Sequence, residues 1–280
     1  VTASNWDISI TYLILAHDNP ARLQALIERL EEDPSAKIVI HYDQKSPRHE
    51  YKRLIAVNEK KTNVHILPKP QRVACGWGEF SIAQATLNLI QYALNLPEPS
   101  DYFYLLSGTC YPIKPLHELK VYLAENRGGA FIECKDKSWI KDGMCDDRYR
   151  YHHFLNFRRN PWLFRRLYWL QRDMGLIRRL PKGINEIRFG SQWWCLPFEL
   201  LQNIVEEILQ SPEMTRFFKT VWIPDECMFQ TLVFKHIASR DKIVKTLTYY
   251  NFDDCGQPEI FEKESLPKVG NDYFFVRKVF

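Results

Sequence analysis

Short apolar runs alternate with segments of helical spacing along the first hundred residues. Ile8–Ala16 (ISITYLILA) is apolar at almost every position and rich in β-branched residues, the pattern of a strand buried on both faces. His17-Asp18-Asn19-Pro20 interrupts it with residues suited to a helix cap and first turn. Ala21–Leu30 then carries apolar residues at 23, 26, 27 and 30, which predicts a helix. Lys37–Tyr42 (KIVIHY) predicts a second strand, Val64–Leu67 a third and Tyr102–Leu106 (YFYLL) a fourth, with a helix over Ser81–Leu94. Further on, the spacing predicts a helix over Leu116–Glu125 and a strand over Ala130–Cys134. Ile187–Pro197 reads as a loop entering a strand, and Phe198–Gln210 and Pro224–Phe234 as helices.

Strands alternating with helices imply βαβ units, hence an α/β fold with a Rossmann-like, mostly parallel central sheet flanked by helices. Ligands of such sheets bind beyond the carboxyl ends of the strands. That rule selects His17, Asp43, Lys45, Ser107 and Gly108 as candidate ligand contacts. Neither a GxGxxG fingerprint nor a P-loop is present, which speaks against dinucleotide enzymes and P-loop NTPases. Residues 1–280 read as one domain, with a nucleotide-binding half to about residue 115 and an acceptor and catalytic half beyond it.

Composition adds three points. No apolar stretch approaches the ~18–20 residues of a membrane span, and Val1–Asp7 is too short and polar for a signal peptide. The seven cysteines form no C-x-x-C pair and several lie in apolar runs, so reduced, buried thiols and a cytoplasmic location are expected. The net charge of +4 does not suggest a nucleic-acid partner, but it is unevenly distributed. Between Arg148 and Arg188, ten Arg and one Lys face only Asp173 and Glu186, a local excess of +9 that leaves the remainder at −5.

Two motifs carry candidate chemistry. Pro224-Asp225-Glu226 is ordinary helix-opening sequence, or a carboxylate aimed into a cleft, where it would act as a general base. Gly190-Ser191-Gln192-Trp193-Trp194 reads as core or as a platform for an apolar sugar face. Trp77-Gly78-Glu79 reads as a tight turn before the Ser81 helix or as a donor contact. No Asp-x-Asp occurs, although many nucleotide-sugar enzymes hold a divalent metal with that pair. No metal site is expected, so Lys, Arg or backbone N–H groups would neutralise a departing diphosphate.

Taken in order, Ile40–Lys45, Trp77–Ser81, Leu105–Gly108 with Tyr111–Lys114, Gly190–Trp194, Pro224–Glu226 and Phe274–Lys278 resemble one known family. It is the core-2/I-branching β-1,6-N-acetylglucosaminyltransferase family, which also includes the peptide O-xylosyltransferases. The resemblance runs from about Ile8 to Lys278. It implies a GT-A-type fold, a UDP-sugar donor, inversion at the anomeric carbon and, as in the branching enzymes, no divalent metal or other cofactor. By that resemblance Glu226 matches the catalytic base, Asp43 a donor-nucleotide contact and Lys278, beside Arg277, a diphosphate ligand. Glu133, Arg148 and Tyr249 match acceptor-binding positions, joined by Trp193 and Trp194. The chain departs from the family at Glu259, where an Arg or Lys is usual, and at Cys110, where many members carry Asp. Arg277 or an Arg of the basic segment is the expected replacement for the first.

The expected activity is transfer of a sugar from a UDP-sugar to a carbohydrate hydroxyl with formation of a β-glycoside. GlcNAc is the expected sugar; xylose, glucose and glucuronic acid are the alternatives. The competing reading is a catalytically silent GT-A scaffold that binds carbohydrate or docks a partner. The acceptor is expected to be a glycan or lipid-linked glycan. Within 158–182 the apolar residues 163, 167, 170, 174 and 177 trace one helical stripe. Arg165, Arg172 and Arg179 repeat every seven residues, with Trp162 and Trp169 beside them. Such a helix is expected to lie on the inner face of an anionic membrane, to pack its stripe under a solvated basic face, or to meet an acidic acceptor glycan.

Overall fold

The computed structural model describes residues 8–140, 144–253, 257–267 and 269–279; Val1–Asp7 and Cys255 lie outside them. In chain order the first elements are β1 (Ile10–Ala16), α1 (Pro20–Leu30), β2 (Lys37–Tyr42), α2 (Arg48–Asn58), β3 (Val64–Ile66), α3 (Phe80–Leu94) and β4 (Tyr102–Ser107). Then come β5 (Tyr111–Pro112), α4 (Leu116–Glu125), β6 (Ala130–Phe131), α5 (Asp147–Arg150), α6 (Pro161–Asp173) and β7 (Cys195–Pro197). The last are α7 (Phe198–Gln210), α8 (Pro212–Phe218), α9 (Met228–His236), β8 (Ile243–Val244), β9 (Thr248–Tyr250) and β10 (Phe275–Arg277).

The main sheet has the order β3-β2-β1-β4-β7-β6-β8. β1 pairs in parallel with β2 and β4, and β3 extends the parallel half. β7 enters antiparallel between β4 and β6, while β8 runs parallel to β6. Alternate residues of a strand face opposite ways, and here each set builds its own core. Leu13, Val39, Phe103, Leu105 and Leu196 pack with α3, α7, α8 and α9. Tyr12, Ile14, Ile38, Ile40, Tyr104 and Leu106 pack with α1 and α4. The near-continuous apolar runs of β1, β2 and β4 therefore follow from burial on both faces, as the α/β reading requires. β10 joins β5 antiparallel and β9 in parallel in a second sheet, which brings the C-terminal residues back beside the end of β4.

Several elements differ from the sequence expectation. α2 was not foreseen, because only Leu54 and Asn58 are buried on it and its apolar periodicity is weak. α8, a seven-residue helix capped by Ser211, was also missed. The expected helix Pro224–Phe234 divides into a 3₁₀ turn, Pro224–Glu226, and α9. α6 stops at Asp173, and Gly175 follows with φ 64°. Its buried side is Phe164 and Tyr168, so the stripe through 163, 167, 170, 174 and 177 does not form its core face: 163 and 167 are half-buried and the other three exposed. Cys75, Cys110, Cys134, Cys145, Cys195 and Cys227 are free thiols. Among the described residues no helix is long and apolar enough to cross a membrane.

Candidate functional site

The carboxyl ends of β1, β2 and β4 gather the first group of candidates. Asn19 caps α1 through its side chain, which accepts a 3.0 Å bond from the Arg22 N–H, so the helix starts within three residues of the strand. His17 is exposed at this end. Asp43 is buried, and its carboxylate accepts the Lys45 N–H at 2.7 Å and the Cys75 N–H at 3.1 Å. Lys45 bonds the Cys75 carbonyl, and Arg72 donates to the carbonyls of Tyr42 and Asp43. Asp43 and Lys45 thus hold the loop before α3 against β2. At β4, Ser107 Oγ lies 2.8 Å from Thr109 Oγ1 and 3.2 Å from the buried Cys110 thiol. A Cβ on Gly108 would sit 3.0 Å from that of Ala16, so a side chain there would push the ends of β1 and β4 apart by a few tenths of an ångström.

β10 delivers the basic residues. The Arg277 guanidinium lies 4.5 Å from the Trp193 ring centroid, and its Nε donates to Ser107 Oγ at 3.4 Å. Burial pushes the Arg277 pKa down, against the opposing pull of Cys110, Tyr250 and Glu226. Lys278 is likewise lowered, by partial burial first and then by Arg277, with Arg22 and Arg158 acting the same way and Asp18 opposing them. Arg277, Arg22 and Arg158 thus all act on Lys278 as like charges; Arg22 is itself paired with Asp18 at 2.8 Å, and the positive charge left over suits an anion. Arg158 reaches this group from the basic segment and stacks on Trp77 at 4.2 Å. Asn156 fixes that stack, donating to the Trp77 carbonyl at 3.2 Å and to Glu79 at 2.7 Å. Glu259 lies beside Lys278 through its carbonyl, but its carboxylate accepts from Asn251 at 3.0 Å.

The carboxylates meet across a glycine. A Cβ at Gly190 would fall 2.1 Å from the Glu133 carbonyl oxygen, so only glycine lets these two segments approach. The Gly190 N–H then donates to the Glu226 carbonyl at 3.0 Å, and the Ser191 N–H to the Glu133 carboxylate at 2.8 Å. Tyr250 donates to the same Glu133 oxygen at 2.5 Å. Glu226 closes the 3₁₀ turn, which is entered through Ile223 at φ 55° and tied to the Trp77 loop by the Ile223 N–H bond to Gly78. Its carboxylate accepts from Arg148 at 2.8 Å. Burial raises the Glu226 pKa, Arg148 lowers it, and the nearby Glu133 charge raises it again. The Arg148 side chain is 9% exposed and that of Glu226 31%, so the acid is the partner that solvent and ligands reach. Asp225 points inward, and burial together with the Glu226 charge lifts it to about 7.

Two expectations about aromatic platforms are corrected. Trp194 is fully buried against Phe229, and Trp193 is buried beneath Arg277, so neither ring presents a face to a sugar. Tyr249 packs on Phe261 and Tyr273; the alternation along β9 turns Tyr250 toward Glu133 instead. The sequence reading also omitted Arg22 and Arg158 from the donor end. Arg22 stands six residues past β1, within reach of the strand-end rule, whereas no local signal separated Arg158 from the other arginines of its segment.

The model of the Core-2/I-Branching enzyme family matches residues 10–273. The chain belongs to that family. Xylosyltransferase 2 of Rattus norvegicus is 24% identical over 97% of this chain and 32% of its own length. Xylosyltransferase 1 of Homo sapiens is 25% identical over 81% of this chain and 22% of its own. The chain thus spans about a third or less of the curated relatives it matches. The structure of the mannosyltransferase Ktr4p from S. cerevisiae aligns over 85% of this chain and 68% of that one, with a TM-score of 0.44 and 11% identity. Glu226, the base expected from the sequence, stands beside Arg148, and Lys278, the expected diphosphate ligand, lies within electrostatic reach of Arg277. Among the described residues no three His, Cys, Asp or Glu side chains are grouped to share a metal ion. A cavity of about 650 Å³ lies at the opposite ends of β1 and β4, lined by Ile8, Asp101, Tyr102, Arg127 and Lys242. Asp101 there is held by the N–H and hydroxyl of Ser9.

Proposed function

We propose that this family member transfers a sugar from a UDP-sugar to a hydroxyl of a glycan or lipid-linked glycan, with inversion, using Glu226 as general base and no divalent metal. The observation that carries the reading is the Glu226 carboxylate. It is held in a rigid turn, paired on its buried side with Arg148 and open on the other, within electrostatic reach of Arg277. The donor diphosphate lies against Lys278 and Arg277, with Arg158 adding positive charge and Arg22 paired with Asp18 beside them. The acceptor hydroxyl gives its proton to Glu226, and its oxygen forms a bond to the anomeric carbon from the face opposite UDP. The bond from that carbon to the phosphate oxygen breaks, and its electron pair leaves with UDP. Fixed cations aimed at the developing phosphate charge need little reorganisation as the reaction proceeds.

The xylosyltransferase relatives weigh toward UDP-xylose as much as the motif resemblance does toward UDP-GlcNAc, and both are proposed donors. Glu133 and Tyr250 form the wall beside Glu226 and supply the polar contacts for the acceptor. UDP release from a panel of UDP-sugars with EDTA present tests this reading. One donor, UDP-GlcNAc or UDP-xylose, is expected to turn over with unchanged rate in EDTA. Loss of turnover in EDTA with recovery on adding Mn²⁺ would sink the metal-free mechanism, and UDP binding with no release from any donor in the presence of glycan acceptors would indicate a silent scaffold.

A further inference from the structure

α6 and the residues after it form a surface of unusual composition. Trp162, Trp169, Leu170, Met174, Leu176 and Ile177 are each at least half exposed. Large apolar side chains scattered singly over a surface need no explanation, but six within sixteen residues make a patch. Arginines are interleaved with them. Arg166 lies over the Trp162 ring and Arg172 over that of Trp169, with Arg165 and Arg179 also exposed. None of these four arginines pairs with a carboxylate among the described residues. Asp173 is the one acid between Arg158 and Lys182, so the segment keeps a large positive excess.

The patch is rigidly joined to the body. Phe164 and Tyr168 anchor α6, and the Tyr168 hydroxyl donates to Asp147 at 2.6 Å. After the helix, Arg178 donates to the carbonyls of Tyr149, Tyr151, Phe217 and Thr220, and its own N–H bonds Arg150 at 2.9 Å. Burial among these carbonyls lowers the Arg178 pKa to about 10 and leaves it charged. α5, which carries Arg148 and hence touches Glu226, is therefore braced by the same segment that displays the patch.

We propose that this surface docks on an anionic lipid bilayer. Indole rings and aliphatic chains suit the boundary between headgroups and acyl chains, while unpaired guanidinium groups suit lipid phosphates. A protein partner would need matching carboxylates and a shaped apolar face; a bilayer supplies negative charge and apolar depth together, the two features this surface displays. The surface chemistry does not depend on the catalytic reading.

The test is co-sedimentation of the intact chain with vesicles of phosphatidylcholine alone and of phosphatidylcholine mixed with phosphatidylglycerol. Binding is expected only to the mixed vesicles at low salt, with release as salt shortens the Debye length. The triple variant Trp162→Ser/Trp169→Ser/Leu170→Ser alters only exposed side chains, so it should keep the melting temperature while losing binding by about tenfold or more. Arg166→Glu/Arg172→Glu should lose binding on the order of tenfold or more through charge alone. Failure of the unaltered chain to sediment with mixed vesicles at low salt overturns the proposal. Concentration-dependent self-association that the triple variant abolishes, without vesicle binding, would assign the face to a second copy and overturn it equally.

Discussion

Replacing Arg148 by methionine removes the guanidinium 2.8 Å from Glu226 and leaves a side chain of similar length in its place. The carboxylate then keeps the two influences that raise its pKa, burial and the Glu133 charge, and loses the one that lowers it most. An opposite charge at this distance depresses a carboxylate pKa by about 1–3 units, equivalent to about 1.4–4 kcal/mol. A general base works only when deprotonated, so the acid limb of the pH–rate profile should move to higher pH by about 1–3 units. At a pH one unit below the variant's new limb, turnover falls about tenfold, and raising the pH restores it. Breaking a buried pair typically costs about 3–5 kcal/mol; the partial exposure of Glu226 places the loss at or below the low end. The assay is kcat/KM for UDP release against pH in the wild type, Arg148→Met and Arg148→Lys, with the lysine variant expected between the other two. A loss of the same size at every pH, with the acid limb unmoved, would refute the assignment of Arg148 as the group that keeps Glu226 ionised.

Two further outcomes follow from the electrostatics. Asp225 has a folded pKa raised to about 7, so between about 4 and 7 the folded state binds more protons than the unfolded state, and this residue removes stability as pH rises. Buried His41 and His153, lowered to about 4, act in the opposite sense, adding stability as pH rises from 4 to 6.5. Asp225→Asn should therefore gain stability relative to the wild type between pH 4 and 8, by at most about 4 kcal/mol, in urea unfolding at the two pH values; parallel curves would contradict it. Lys278→Ala should weaken UDP binding by about ten- to a hundredfold in calorimetry, the value of a charge-assisted bond to phosphate, and unchanged affinity would move the diphosphate elsewhere.

How much of this was legible depended on what each residue packs against. β1, β2 and β4 announce themselves because both faces are buried, so the apolar run is uninterrupted, and the rule for their carboxyl ends led to His17, Asp43 and Ser107. α2 left almost no trace, since a helix that buries only Leu54 and Asn58 has no stripe to read. The Pro-Asp-Glu motif marked a carboxylate at a helix opening, but the left-handed Ile223 that sets its turn apart from α9 has no compositional signature. The two adjacent indoles suited a sugar platform by type alone; Trp194 is buried against Phe229 of α9 and Trp193 beneath Arg277 of β10, contacts that no local pattern encodes. Periodicity carried the stripe on to 174 and 177, past the end of α6 at Asp173, and it had no means of saying that Phe164 and Tyr168 would take the core side. Arg158 joins Lys278 only through the fold of a loop more than a hundred residues away in sequence, which no local pattern encodes.

The claim on which the account rests is that Glu226 is the base, and Glu226→Gln examines it most directly, with UDP affinity and turnover measured on the same preparation. Glutamine keeps the shape of the side chain and a partner for Arg148 while removing the proton acceptor. Turnover is predicted to fall by about 10²–10⁴-fold with UDP affinity unchanged. Turnover within a few-fold of wild type, or a loss of UDP binding as large as the loss of turnover, would contradict it and leave Glu226 as a structural residue of its turn.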